Sequence, residues 1–230
     1  LGRVWQRGLL YRGLKPVNWC IECGSALAEA EVEYEDKTSA AIDVAFAAAD
    51  SAALARAFGL AKAPERAFAV IWTTTPWTLT GLVHTAPAHG AEDFDAGVKY
   101  GLPLDQPVDD RGHFKAGVPH FAGLGVREAE KPILERLAAD GALLRNEPFR
   151  HSYPHCWRHK TPIIFRATTQ WFIGMDRPSR GDGAGDGRTL REVARQAIAD
   201  TTFYPAWGRS RIEAMIANRP DWTLSRQRAW

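Results

Sequence analysis

The sequence predicts an α+β fold, and three observations lead there. Runs rich in β-branched and aromatic residues at 42–46, 67–72, 81–87 and 162–172 read as short strands closed by turn formers. Segments with apolar residues at helical spacing lie between and after them. Two short chelating motifs, Cys20-x-x-Cys23 and Cys156-x-x-His159, stand far apart in the chain and need a fold to bring them together.

The elements follow in order. Leu1, Val4, Trp5 and Leu9 recur at roughly helical spacing, which predicts a helix within 1–11 that stops before Gly13 and Pro16. Alternation in Glu29 to Tyr34 predicts a half-exposed strand. Asp50-Ser51 predicts a capped helix running through Phe58. Ala67 to Trp72 runs as a strand into Thr73-Thr74-Thr75, where Pro76 ends the ladder. Ala91 to Tyr100 carries acids in its first turn, as suits the positive end of a helix. Residues 103–119 read as loop or hairpin. Arg127 to Ala139 places Ile133, Leu134 and Leu137 on one face and stops at Gly141. Arg177 to Arg188 is a glycine-rich connector, and helices over 190–199 and 209–217 complete the chain.

Composition narrows the class. The 230 residues are 45% hydrophobic and 24% charged, which is ordinary globular usage and excludes disorder, collagen and coiled coil. Lys and Arg number 29 against 27 acids, so a net charge of +2 excludes a sequence-blind electrostatic grip on nucleic acid. Any RNA contact must be local. The sequence has neither an apolar run of membrane-spanning length nor a basic, apolar leader at Leu1, and a cytoplasmic protein with no membrane contact is expected. The start without Met and the Trp230 end read as those of an excised piece.

Three cysteines cannot all pair, which argues against a disulfide framework. A lone C-x-x-C can equally be two small buried hydrophobes. The second motif, Cys156-x-x-His159, favours metal: two thiolate-bearing loops and an imidazole suit tetrahedral zinc and leave no position open for substrate. The expected role is structural, with Cys20, Cys23, Cys156 and His159 as ligands and His155 or His151 as alternatives to His159.

Thr73-Thr74-Thr75 is by itself ordinary strand sequence, His84 alternating with Val83 is by itself a core histidine, and Glu92 and Asp93 by themselves favour a helix start. Together they carry a resemblance. Thr73-Thr74-Thr75-Pro76-Trp77-Thr78-Leu79 and Gly81-Leu82-Val83-His84-Thr85-Ala86-Pro87-Ala88-His89-Gly90-Ala91-Glu92-Asp93-Phe94 resemble the two signature stretches of the editing domain of bacterial-type isoleucyl-tRNA synthetases. Thr75 stands where the valyl and leucyl enzymes carry Arg. Trp19-Cys20 through Tyr34, His151 through Ala167 and Asn218-Arg219-Pro220-Asp221-Trp222 through Trp230 are similar to the same family, so the likeness covers essentially the whole chain.

The resemblance implies the connective insertion of a class I synthetase: a barrel-like β editing core with flanking short helices and a small zinc-knuckle stem. It implies a stem segment at 1–34, the editing core at 35–149 and a stem at 150–230 that returns to the catalytic domain. Neither H-I-G-H nor K-M-S-K-S occurs, so ATP and Mg2+ belong to the full-length enzyme only. The implied reaction is hydrolysis of the ester in Val-tRNA(Ile). The implied partners are the tRNA(Ile) 3′ end carrying valine, valine itself and the remainder of the synthetase, with the chain a monomer.

Implied roles follow the motif. Asp93 holds the α-ammonium of the substrate; Thr74 and Thr75 position the ester, the terminal ribose and the attacking water. Thr73 belongs to the same substrate-binding row, Thr78 and His84 line the side-chain pocket, and Trp77 supports it. No nucleophile–base pair stands out, which favours direct attack by oriented water, assisted by a ribose hydroxyl. One departure is the spacing: in the family several dozen residues separate the two stretches, whereas here Leu79-Thr80 runs directly into Gly81. An asparagine that usually follows the threonines is also absent. The shortening predicts a core that loses strands and exposes an edge. It also motivates a second reading, a zinc-stabilised tRNA-docking module without turnover, using the cations Arg150, Arg158, Lys160, Arg209, Arg211, Arg226 and Arg228.

Overall fold

The computed structural model describes residues 1–80, 86–180 and 187–227. Two antiparallel sheets organise them. The first has four strands in the order β2-β1-β6-β7, with β1 Leu10–Cys20, β2 Ser25–Leu27, β6 Ile164–Ile173 and β7 Trp222–Thr223. The second has three strands in the order β4-β3-β5, with β3 Val32–Ala47, β4 Phe68–Thr73 and β5 Leu143–Cys156. Helices α1 Gly2–Gln6, α2 Ser51–Ala57, α3 Ala91–Tyr100, α4 Glu130–Ala139, α5 Leu190–Ala199 and α6 Gly208–Ala217 connect or flank them.

Several expectations are met. Asp50 caps α2, its Oδ1 accepting from the amides of Ala52 and Ala53 at 2.9 Å each. Helix α3 has the bounds expected from its acids and periodicity, and Gly101 ends it at φ +65°. Gly141, at φ +67°, follows α4.

Other expectations need correction. The N-terminal helix covers only Gly2–Gln6, because Gly8 at φ +70° breaks it and β1 then pairs with β6 from Leu10↔Ile173 onward. Glu29–Glu31 forms a 3-10 turn, and one continuous strand of 16 residues, β3, replaces the two short strands expected at 29–34 and 42–46. Strand β5 was not legible: its polar sequence holds Pro148 and Pro154, which sheets tolerate at an edge, and β3 is its one strand partner among the described residues. The barrel-like closure is not present among the described residues, where the three-stranded sheet stays open. The strand expected at 81–87 lies mostly outside the described residues, as does 181–186 of the connector.

The main core lies between the four-stranded sheet, α4 and the loop around Val108 and Phe114. Val17, Trp19, Ile164 and Phe172 of the sheet meet Phe114, Val126 and Ile133 there, and Trp77 inserts into the same cluster. Full burial of each large side chain contributes about 1.5–3 kcal/mol. The loop is tied down by a bridge between Val108 and Phe114 and by the Trp19 indole, which donates to the Asp110 carbonyl at 2.8 Å. A second, smaller cluster gathers Cys20, Leu27, Cys156 and Ile163. It puts both knuckle motifs at one end of the two sheets.

Candidate functional site: a threonine turn, an acid turn and a thiol cluster

The threonine stretch leaves β4 at its C-terminal end. Thr73 is buried, and its Oγ1 accepts the Thr75 amide at 3.0 Å while lying 3.1 Å from Thr75 Oγ1. This hydroxyl-closed turn redirects the chain into a 3-10 turn, Pro76–Thr80. The Thr78 hydroxyl donates to the Thr75 carbonyl at 2.8 Å. Thr74 and Thr75 are half-buried. Pro76 and Trp77 are buried beneath them and anchor the turn to the core.

The acid stretch leads into the start of α3. Asp93 lies in the first turn of α3, and its Oδ2 accepts the Ala86 amide at 3.1 Å. Gly97 allows the helix to lie against Pro87, since a Cβ there would come within 2.8 Å of Pro87 Cβ. The Ala88 carbonyl accepts the Ala167 amide of β6 at 2.7 Å. His89 then meets Trp77 edge-on, with ring centroids 4.9 Å apart, so the two stretches that sequence reasoning singled out share a contact. His84 lies outside the described residues. A single histidine in a turn carries no signal without its contacts, so the sequence alone does not mark His89.

The thiol cluster is compact. Cys23 Sγ lies 3.9 Å from Cys156 Sγ, and His159 Nδ1 lies 3.7, 3.3 and 3.8 Å from the sulfurs of Cys20, Cys23 and Cys156. All four donor atoms fall within 4.8 Å of one another. Tetrahedral zinc with ordinary bond lengths requires S···S of about 3.8 Å and S···N of about 3.6 Å, so the donor set fits such an ion. The two loops are alike: Gly24 at φ +58° follows the first motif and Lys160 at φ +54° follows the second. His155 Nδ1 is committed to the Tyr153 carbonyl at 2.8 Å and His151 Nε2 to Ser39 Oγ at 3.0 Å, which leaves His159 as the imidazole that faces the sulfurs. Burial pushes the Cys20 thiol up. Cys156 moves down although burial opposes this, because the amides of His159 and Arg158 point at its sulfur. The cluster can hold a metal ion.

A cleft of about 690 Å3 lies elsewhere, between β1, α3 and the segment around Asp221, and neither the threonines nor Asp93 line it. Asp221 accepts from the Tyr11 hydroxyl, from Lys15 Nζ at 2.7 Å and from the Met175 amide at 2.9 Å. These contacts tie the C-terminal segment to β1. No helix among the described residues is long and apolar enough to cross a membrane.

The chain belongs to the class I tRNA synthetases of the isoleucyl, leucyl, methionyl and valyl group, whose model matches residues 1–230. It is similar to the isoleucine–tRNA ligase of Thiobacillus denitrificans, at 45% identity over 313 aligned positions that cover 100% of this chain and 34% of the relative. The isoleucine–tRNA ligases of Dechloromonas aromatica (44% identical, 100% and 34% covered) and Laribacter hongkongensis (43%, 100% and 32%) are similar in the same way. The chain thus spans about a third of the length of these curated relatives. With 313 positions aligned against 230 residues, the first alignment crosses at least 83 positions that this chain lacks.

Proposed function

We propose that this chain is the editing insertion of an isoleucyl-tRNA synthetase and hydrolyses the ester of Val-tRNA(Ile). Valine differs from isoleucine by one methylene, worth about 1–3 kcal/mol in an apolar pocket, a limit that isoleucyl enzymes themselves face. A second pocket that excludes by size supplies what burial cannot. The observation that carries the reading is the apposition of the two signature stretches through Trp77 and His89.

In this reading Asp93 binds the α-ammonium of the misacylated residue, fixing which end enters by a charge-assisted contact. Thr73, Thr74 and Thr75 present hydroxyls to the ester, the terminal ribose and a water. Trp77, Thr78 and His84 shape the side-chain pocket. Water attacks the ester carbonyl carbon, the bond to the ribose oxygen breaks, and valine and tRNA leave. Orientation supplies most of the rate, because a threonine without an adjacent base is a weak nucleophile. Residues 35–149 form the editing core, with 1–34 and 150–230 as the stem that returns to the rest of the synthetase, and Cys20, Cys23, Cys156 and His159 hold a structural zinc that joins the two stem segments. ATP and Mg2+ serve the full-length enzyme, in the cytoplasm.

The positions that the chain lacks relative to its relatives favour a second reading, a zinc-stabilised tRNA-docking module without turnover. Deacylation assays separate the two. Hydrolysis of Val-tRNA(Ile) but not Ile-tRNA(Ile), lost in Asp93→Ala, supports editing; binding of tRNA(Ile) without hydrolysis supports docking.

A further inference from the structure

His89 is the contact between the two stretches, and the roles assigned above leave it unused. It stands one residue before Gly90, the N-cap of α3. Its ring meets Trp77 edge-on at 86°. Its Nδ1 lies 2.9 Å from the carbonyl oxygen of Phe165 on β6. A carbonyl oxygen can only accept, so Nδ1 carries the proton, and in the neutral ring Nε2 is a bare acceptor. Nε2 is buried and has no hydrogen-bond partner among the described residues. A proton placed there would be a buried donor with nothing to receive it.

Among the described residues, the charged groups that act on the ring are Arg166 on β6 and Asp93 on α3. The threonine stretch, from Thr73 to Leu79, contributes no ionisable group. Burial holds the imidazole below the ordinary histidine value; the Phe165 carbonyl pulls it up, Arg166 pushes it down and Asp93 pulls it up. The neutral ring is therefore the resident form near neutrality.

We propose that His89, in its neutral Nδ1–H form, is a positioning residue that clasps the Asp93 turn to the threonine stretch and releases it on protonation. This rests on the editing reading. The reasoning is geometric: β6 fixes the ring through Phe165, the ring fixes Trp77, and Asp93 follows the ring by four positions, in the first turn of α3. Protonation leaves a second, buried N–H without an acceptor, so the contact with Trp77 is lost while tRNA contacts elsewhere persist.

Two variants each remove one part of the clasp. Asn in His89→Asn retains an amide donor for Phe165 and does not titrate; Phe in His89→Phe retains a ring against Trp77 and loses the donor. In the wild type, kcat for Val-tRNA(Ile) is expected to fall on acidification with a midpoint below about 6.5, the ordinary histidine value, while KM stays constant. His89→Asn is expected to lose about 10- to 100-fold in kcat and to lose the acid limb with it. His89→Phe should show a loss of the same order, also without the limb. If His89→Asn keeps the wild-type acid limb, the clasp is overturned and the editing reading stands. If the wild type fails to hydrolyse Val-tRNA(Ile) at any pH, the editing reading fails, and the clasp is decided on the wild-type chain by NMR. The Trp77 indole N–H resonance, assigned with Trp77→Phe, should then move with the His89 titration. An unmoved Trp77 signal overturns the clasp.

Discussion

Cys23 Sγ and Cys156 Sγ lie 3.9 Å apart, although 133 residues separate them. No disulfide joins them, and none involves Cys20. That spacing matches the edge of a zinc-sized tetrahedron, and the same donor set, which could hold a metal ion, includes Cys20 and His159. One zinc per chain is therefore expected by elemental analysis. Because ion binding is coupled to folding, chelation or Cys156→Ser should cost at least about 3 kcal/mol, or roughly 6–12 °C in Tm. A metal-free chain that melts at the same temperature with and without chelator contradicts this.

Gly97 is the point where α3 touches the Pro87 turn. A Cβ at that position would lie 2.8 and 2.9 Å from the Pro87 ring carbons, and the ring cannot retreat without moving the turn that carries Ala88 and His89. Gly97→Ala should destabilise the chain by about 1–3 kcal/mol despite the better helix propensity of alanine. Urea denaturation measures this. An unchanged or raised midpoint would mean that the helix does not sit on the turn.

Acid stability should depend on Asp221. Burial pushes its carboxyl up, but Lys15, the Tyr11 hydroxyl and the Met175 amide outweigh it and hold the group below the usual carboxylate range. A depressed carboxyl adds stability above the unfolded-state value of about 3.9, and that stability is lost as pH falls through the folded-state value. Asp221→Asn should therefore cost about 1.5–3 kcal/mol at neutral pH and less in acid, below the folded-state value. Equal losses at both pH values would show that the carboxylate charge is not what binds the C-terminal segment to β1.

Asp93→Asn tests charge rather than shape at the acid turn. The amide keeps an oxygen for the Ala86 N–H but cannot pair with an ammonium, so deacylation of Val-tRNA(Ile) should fall about 10- to 150-fold, the worth of one charge-assisted contact. The melting temperature should hardly change. A rate equal to wild type removes Asp93 from substrate binding.

Local chemistry made much of this molecule legible in sequence. The Asp50 cap, the acids of α3 and the run 67–73 each declare their structure within a few residues, because caps, helix dipoles and β-branched runs act at short range. The knuckle motifs declared a metal-type donor set in the same way. Strand β5 did not declare itself, since Pro148 and Pro154 are tolerated only because β5 lies at the edge beside β3. The N-terminal segment misled for a related reason: its apolar spacing suits a helix, but pairing from Leu10 to Trp19 with β6 satisfies more backbone than a lone helix could.

The residue types and their spacing determined the family, the thiol and imidazole donors and the threonine and acid stretches, because those are properties of a chain read a few positions at a time. Only the tertiary structure decided that His159 rather than His155 or His151 faces the sulfurs, that Trp77 lies in the core and that His89 joins it to β6. Those outcomes depend on which carbonyls and hydroxyls lie within hydrogen-bonding reach after distant strands have paired, and no local pattern encodes a neighbour a hundred residues away.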